Sequence, residues 1–226
     1  MLIGKCQINI KINNLIFEID IRESIERKTY FISEYEKKRM DQLHLFSKKI
    51  NSEIFIDIGA HIGFYSILSS HQFEQLYSFE PNERNFKVLK KNIDKNKLKN
   101  IKISNFGLGE KEEVLIGNSN IKGELFQTSG FAINKDNKKG ESVILKKGDD
   151  VLQFKDKTLT IKIDVEGFEF FVLKGLKNNL INNSCVLQIE IWEKNNDEVH
   201  KFLNSLGYRM IDSIDGDTYF SNKIFD

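Results

Sequence analysis

The sequence predicts an α/β fold with a doubly wound, mostly parallel sheet, and three observations carry that reading. Short β-rich runs alternate with amphipathic helical stretches from about residue 51 onward. Several of those runs end on a glycine or an acidic residue, as strands do when they feed ligand-binding loops at their carboxyl ends. The chain then closes on Asp215-Gly216 between two short apolar runs, the signal of a tight hairpin, which adds a strand running antiparallel to the rest.

Residues 7 to 21 alternate, with Ile8, Ile10 and Ile12 before Asn13-Asn14 and Phe17, Ile19 and Ile21 after it, the pattern of two half-buried strands joined by a turn. Ile32, Tyr35, Leu43, Phe46 and Ile50 then recur near the helical period, so a leading helix follows this N-terminal hairpin. Residues 54 to 58 form the first core strand and 76 to 79 the second. An apolar helix beginning near Phe64 lies between them, and Phe86, Leu89 and Ile93 mark another after Pro81. Residues 101 to 105 make a third strand. The stretch 106 to 150 is rich in glycine and holds short β-like pieces such as Val114-Leu115-Ile116, so it reads as an insertion of strands and loops. A fourth strand, 159 to 165, precedes a helix whose Phe168, Phe171, Val172, Gly175, Leu176 and Leu180 share one face. Residues 185 to 192 are the next strand. Val199, Phe202, Leu203 and Leu206 define a helix that stops at Gly207, where a left-handed cap forms easily. Residues 208 to 214 and 218 to 221 flank the closing turn. One domain over 1–226 is expected, with the hairpin and helix in 1–50 and the core in 51–226.

Composition narrows the function. A content of 40% hydrophobic residues with 18 phenylalanines fills a sizeable core. Basic and acidic residues number 34 and 33, so no global charge draws the chain to nucleic acid or an anionic membrane. Lys87, Lys90, Lys91, Lys95, Lys97, Lys99 and Lys102 mostly share one helix and its exit and read as a solvated face. Cys6 and Cys185 lie far apart inside apolar runs, as core residues do, rather than as a disulfide or a metal pair. The N-terminus lacks the succession of a signal peptide, and no apolar stretch approaches the roughly 20 residues of a membrane span, so a soluble cytoplasmic protein is expected.

In such a sheet the chemistry gathers beyond the strand ends. The first core strand runs into Asp57-Ile58-Gly59-Ala60-His61-Ile62-Gly63, where glycines permit a tight turn and close approach of a ligand to backbone. Gly59 and Gly63 are four apart and preceded by a carboxylate, which departs from the G-x-G-x-x-G arrangement of dinucleotide loops. A carboxylate there repels phosphate and suits a cation, so the loop fits the ammonium and sulfonium of S-adenosylmethionine better than NAD. Glu80 ends the second strand, where it can accept hydrogen bonds from ribose hydroxyls. The densest cluster follows the fourth strand: Lys162, Asp164, Glu166 and Glu169 around Gly167, with Asp149-Asp150 upstream and Glu190 ending the next strand. Converging carboxylates raise one another's pKa and poise a base near neutrality, which suits hydroxyl deprotonation; Glu166 and Glu169 could instead complement the N-terminus of the next helix. Asn82 and Asn105, placed after the second and third strands, are candidates near the adenosine.

Asp57-Ile-Gly-Ala-His-Ile-Gly-Phe-Tyr-Ser66, Phe79-Glu-Pro-Asn82 and Ile161-Lys-Ile-Asp-Val-Glu-Gly-Phe-Glu169 together resemble the three signature blocks of the FkbM methyltransferases. The similarity runs from about Tyr35-Glu36 to Glu190. It includes Gly148-Asp149-Asp150, where the family has a Leu-Asp-Asp segment, and His61 stands where many members have asparagine. The resemblance implies a class I methyltransferase (Rossmann-like) sheet, S-adenosylmethionine as donor and O-methylation of a hydroxyl on a sugar, glycan or natural product. Asp57, Gly59, His61, Gly63, Glu80, Asn82 and Asn105 are then the expected donor-binding residues, and Asp164, Glu166 and His61 the expected catalytic ones. The partner expected is a small-molecule or glycan acceptor, with no nucleic acid. Asp149, Asp164, Glu166 and Glu190 offer hard oxygen ligands without a defined spacing, so no metal site is expected. The competing readings are a nicotinamide-dependent enzyme and a non-catalytic binding module.

Overall fold

The structure, a computed structural model, describes residues 7–22, 33–118, 132–133 and 140–224. Cys6, Ile32 and much of the expected insertion lie outside the described residues. The N-terminal hairpin pairs β1 (Gln7–Ile12) with β2 (Leu15–Asp20). Asn13 and Asn14 both take positive φ, 48° and 68°, the geometry a two-residue primed turn demands. One face of the hairpin, with Ile10, Leu15, Phe17 and Ile19, is buried.

Seven strands form the central sheet. They are β3 (Ile54–Ile58), β4 (Gln75–Phe79), β5 (Ile101–Ser104), β10 (Thr158–Ile163), β11 (Ser184–Glu190), β12 (Arg209–Ile214) and β13 (Asp217–Ser221), in spatial order β12-β13-β11-β10-β3-β4-β5. The first five pair in parallel, and β13 runs antiparallel to both β11 and β12. Asp215 and Gly216, at φ 52° and 97°, make the expected closing turn. Strand order reverses between β3 and β10, which opens the crevice there.

Both faces of the sheet are covered, so its strands read as nearly continuous apolar runs. Ile54, Ile56, Ile58, Ile161 and Ile163 point to one face, under α5 (Glu169–Gly175), α6 (Lys177–Asn182) and α7 (Asn196–Ser205). The other face lies under α1 (Ser33–Lys49), which buries Met40, Leu43 and Phe46 against Phe55 and Tyr219. Beside it sit α2 (Phe64–Leu68) and α3 (Glu83–Lys95), and the hairpin packs on α3. Asn92 of α3 fixes that contact: its amide accepts from Glu18 N at 2.7 Å and donates to the carbonyls of Glu18 and Ile62.

Two expectations need correction. The single helix after the fourth strand is two, because Asp149 accepts the backbone N–H groups of Asn178 and Asn179 at 2.9 and 3.0 Å and thereby caps a new start. Gly175, at the end of the first piece, is pressed so closely on β6 (Gly107–Gly109) that a Cβ would lie 1.8 Å from the Gly109 carbonyl oxygen. Asp149 is thus turned away from the carboxylate cluster it was expected to join. In keeping with an insertion of strands and loops, the described residues of 106–150 hold a second sheet, in which β6, β7 (Glu113–Asn118), β8 (Ala132–Ile133) and β9 (Glu141–Lys147) take the order β6-β9-β7-β8. A short helix, α4 (Gly148–Val151), leads from it to β10. Cys185 is buried and its thiol pushed up to about 12 by burial, as a core residue should be. Among the described residues no helix is long and apolar enough to cross a membrane.

Candidate active site

A cleft opens at the crevice between β3 and β10, lined by the loops after β3, β4, β5 and β10. Asp57, one residue short of the end of β3, is buried and its Oδ2 accepts from Ser66 Oγ at 2.5 Å. Its Oδ1 is buried without a hydrogen-bond partner. Burial raises the carboxyl's pKa against the pull of Lys162. Gly59 follows at φ 83°, and a Cβ there would lie 1.8 Å from the Asp164 carbonyl oxygen, so only glycine fits this crossing. His61, at φ 51°, lines the cleft. Gly63, at φ 91°, packs against Leu89 beneath α2, outside the lining.

Glu80 leaves β4 as a clamp on backbone. Its Oε2 accepts from His61 N at 2.8 Å and its Oε1 from Asn82 N at 2.9 Å, and burial raises its pKa to about 7. Each oxygen retains capacity for a further donor. Asn82 and Asn105 shape this corner from behind. Asn82 caps α3 by accepting from Asn85 N at 2.9 Å and donates to Glu141 of the insertion at 2.8 Å. Asn105 donates to the carbonyls of Glu80 and Pro81, and neither asparagine lines the cleft.

Across the cleft stand the residues after β10. Asp164 is about a third exposed, at 35%, and accepts from Lys162 Nζ at 2.9 Å. Burial pushes its pKa up, but Lys162 and a hydrogen bond from Glu190 outweigh burial and hold it below the usual range. Glu190 moves the other way, raised by the Asp164 charge and by burial, so the proton the pair shares belongs on Glu190. Glu166, at φ 52°, has its pKa raised to about 7 by burial and by Asp164 and Glu169. Glu169 serves the fold: it is fully buried at the start of α5 and accepts from Gly167 N at 2.6 Å and Asn195 Nδ2 at 2.7 Å.

The sheet adds a row of residues that strand-end reasoning passes over. Register pairs Ser78, Asp57, Lys162, Gln188 and Tyr219 side by side across β4, β3, β10, β11 and β13 on the face under α1. Tyr65 joins them, its hydroxyl donating to Glu36 of α1 at 3.1 Å and accepting from Gln188 at 3.0 Å. Gln188 also donates to Asp217, which Arg39 meets at 3.2 Å. A lysine and a glutamine inside otherwise apolar strands are the signal of this row, because polar groups are buried only where partners await them.

A family model described as the Methyltransferase FkbM domain matches residues 57–210. The chain belongs to the FkbM methyltransferase family. Among solved structures, the methyltransferase is similar to Trm5b from Pyrococcus abyssi, with a TM-score of 0.50 and 11% identity over 96% of this chain and 54% of that one. It is also similar to M. jannaschii TYW2 in complex with AdoMet, with a TM-score of 0.46 and 15% identity over 98% of this chain and 86% of that one. Precorrin-6y C5,15-methyltransferase from Geobacter metallireducens GS-15 follows, with a TM-score of 0.46 and 13% identity over 79% of this chain and 85% of that one. The likeness to Trm5b is one of fold. No curated protein sequence matches the methyltransferase. Family membership sets aside the nicotinamide-dependent reading, in keeping with the glycine spacing and the carboxylate that precedes it.

Proposed function

We propose that this methyltransferase moves the methyl group of S-adenosylmethionine to a hydroxyl oxygen of a small-molecule or glycan acceptor. The cleft suits that donor on three counts. Asp57 Oδ1 is a buried acceptor without a partner, matched to an ammonium. Gly59, without a Cβ, lets the loop after β3 cross against the Asp164 carbonyl so that its backbone lines the cleft. The carboxylates around it favour a cationic ligand and disfavour phosphate. S-adenosylmethionine, when bound, supplies a methyl group already activated on a sulfonium.

The protein's tasks are then alignment and removal of the acceptor proton. Asp57, Gly59 and His61 line the methionine side, and Gly63 holds α2 behind them. Glu80 accepts from the ribose hydroxyls with the capacity left beside its two backbone bonds, while Asn82 and Asn105 fix the strand exit that presents it. Asp164 orients the acceptor hydroxyl as a carboxylate. Glu166, with its pKa near the working pH, takes the hydroxyl proton onto its carboxylate as oxygen bonds to carbon. The observation that carries this reading is the crossing of Gly59 over the Asp164 carbonyl, which sets donor loop and acceptor-side carboxylates against each other.

The test is incubation with methyl-labelled S-adenosylmethionine and a panel of sugars, glycans, hydroxylated natural products, tRNA and rRNA, read by mass spectrometry. Label on an oxygen of a small-molecule or glycan acceptor supports the reading. Label on RNA, or on nitrogen or carbon of any acceptor, overturns it.

A further inference from the structure

The acceptor side of the cleft holds several carboxylates and one deeply buried cation among them. Lys162, 6% exposed, sits one residue short of the end of β10, with Asp57 and Gln188 as its register partners. Its Nζ lies 2.9 Å from Asp164 Oδ2 and 4.6 Å from the Tyr65 ring centroid. Ile161 and Ile163 on either side are fully buried without charge. Burying an ammonium costs several kcal/mol, and an apolar side chain of similar volume avoids that penalty. A lysine here is explained by what its charge does to its neighbours.

We propose that Lys162 is a positioning residue for methyl transfer: its ammonium, 2.9 Å from Asp164 Oδ2, anchors that carboxylate in place facing the acceptor. This rests on the O-methylation reading above, and it gives each carboxylate a distinct role. Asp164 stays charged to orient the acceptor, and Glu166 is free to act as the base.

The surroundings leave no substitute for that charge. Asp57 beside Lys162, Glu166 and Glu169 beyond β10, and Asp217 on β13 are further acids, and burial disfavours ionisation of all of them. Arg39 of α1 is paired with Asp217 and Glu36, and the imidazole of His61, in the loop after β3, lines the same cleft. Tyr65, on α2, is held neutral by burial. Lys162 keeps its proton because Asp164 and Asp57 offset its desolvation and raise its pKa.

The experiment is a carboxyl-carbon NMR titration of the full chain without donor or acceptor, with Asp164 and Glu190 assigned through Asp164→Asn and Glu190→Gln. In the wild type, Asp164 should titrate below the ordinary carboxylate range and Glu190 above it. In Lys162→Met, loss of an opposite charge in contact should raise the Asp164 midpoint by about 1–3 pH units. Lys162→Arg, which restores the charge, should return it toward the wild type. With a working acceptor, the acid limb of the single-turnover rate should move upward in Lys162→Met and recover in Lys162→Arg, which a merely structural lysine would not produce. An Asp164 midpoint in the wild type at or above the ordinary range overturns the proposal without any variant, and so does an unmoved midpoint in folded Lys162→Met. The expected titrations without O-methylated product from any acceptor would support the Lys162–Asp164 coupling and refute the hydroxyl acceptor.

Discussion

If Glu80 holds the ribose, as proposed, binding of the adenosine moiety is pH-dependent, with a sign and size that follow from the raised pKa of Glu80. In the free protein burial raises its carboxyl to about 7, despite the backbone bonds from Asn82 and His61 that favour the charged form. Ribose hydroxyls that donate to Glu80 select the carboxylate, so a proton held there must leave when ligand binds. Affinity should therefore rise with pH through this pKa, by roughly tenfold between pH 6 and pH 8, or about 1.4 kcal/mol. At pH 6.5 roughly three-quarters of a proton should be released per ligand bound. The same raised pKa makes this group's contribution to folding stability fall as pH rises from its ordinary value of 4.5 toward about 7. The assay is titration calorimetry with S-adenosylhomocysteine, which lacks the sulfonium charge, in buffers of different ionisation enthalpy. A Glu166→Gln background removes the other cleft carboxyl that titrates near 7. Glu80→Gln should abolish both the pH dependence and the proton release. It should also lower stability by about 1–3 kcal/mol, since an amide cannot accept from both His61 N and Asn82 N. An affinity flat from pH 6 to pH 8 with no buffer-dependent heat would refute the assignment of Glu80 to the ribose.

Glu166→Gln should leave S-adenosylhomocysteine affinity intact and lower single-turnover methyl transfer by roughly 10²–10⁴-fold, the usual contribution of a general base. Normal turnover in that variant, with a stability change of only about 0.3–1 kcal/mol, would assign Glu166 to the following helix instead. Gly59→Ala places a Cβ 1.8 Å from the Asp164 carbonyl oxygen at φ 83°, so it should cost more than the roughly 1–2 kcal/mol of a left-handed residue and should abolish donor binding. Denaturant melts and calorimetry check it, and wild-type values in both would show that the loop can yield.

The central strands β3, β10 and β11 were legible because they are buried on both faces and read as mostly apolar runs ended by glycine or acid. The insertion was not, because a strand such as Gly107–Gly109 is three residues long and its hydrogen bonds come from β9, far along the chain. No local periodicity records such a pairing. In the site, Asp57, Gly59, Glu80, Asp164 and Glu166 could be named from their places at strand ends, and all of them line the cleft. Asn82 and Asn105 stand at equally suggestive places, yet their amides hold a helix start and a loop, a use the sequence does not distinguish from a ligand contact. Lys162 was visible as a charge in an apolar strand. Its significance needed the register that sets it between Asp57 and Gln188.

So many acids in one cleft raise the question of how the folded state tolerates them. Like charges repel more strongly in a buried site than in water, so full ionisation of Asp57, Glu80, Asp164 and Glu166 in the cleft, with Glu190 and Asp217 near Asp164, would be costly. The structure answers by sorting them: Lys162 and Arg39 neutralise Asp164 and Asp217, while Glu190 keeps a proton and Glu80 and Glu166 are poised near 7. That sorting ties the base to the presence of the donor. If Glu166 is the base proposed above, the net positive charge of the donor lowers its pKa and favours loss of its proton when the donor is in place. On the same reading, loss of the sulfonium charge on methyl transfer would raise the pKa of Glu166 again and favour retention of the acceptor's proton. The acids of the cleft thus act as a set whose protonation follows the charge of the ligand, and the carboxylate best placed to change state is the one assigned to the acceptor proton.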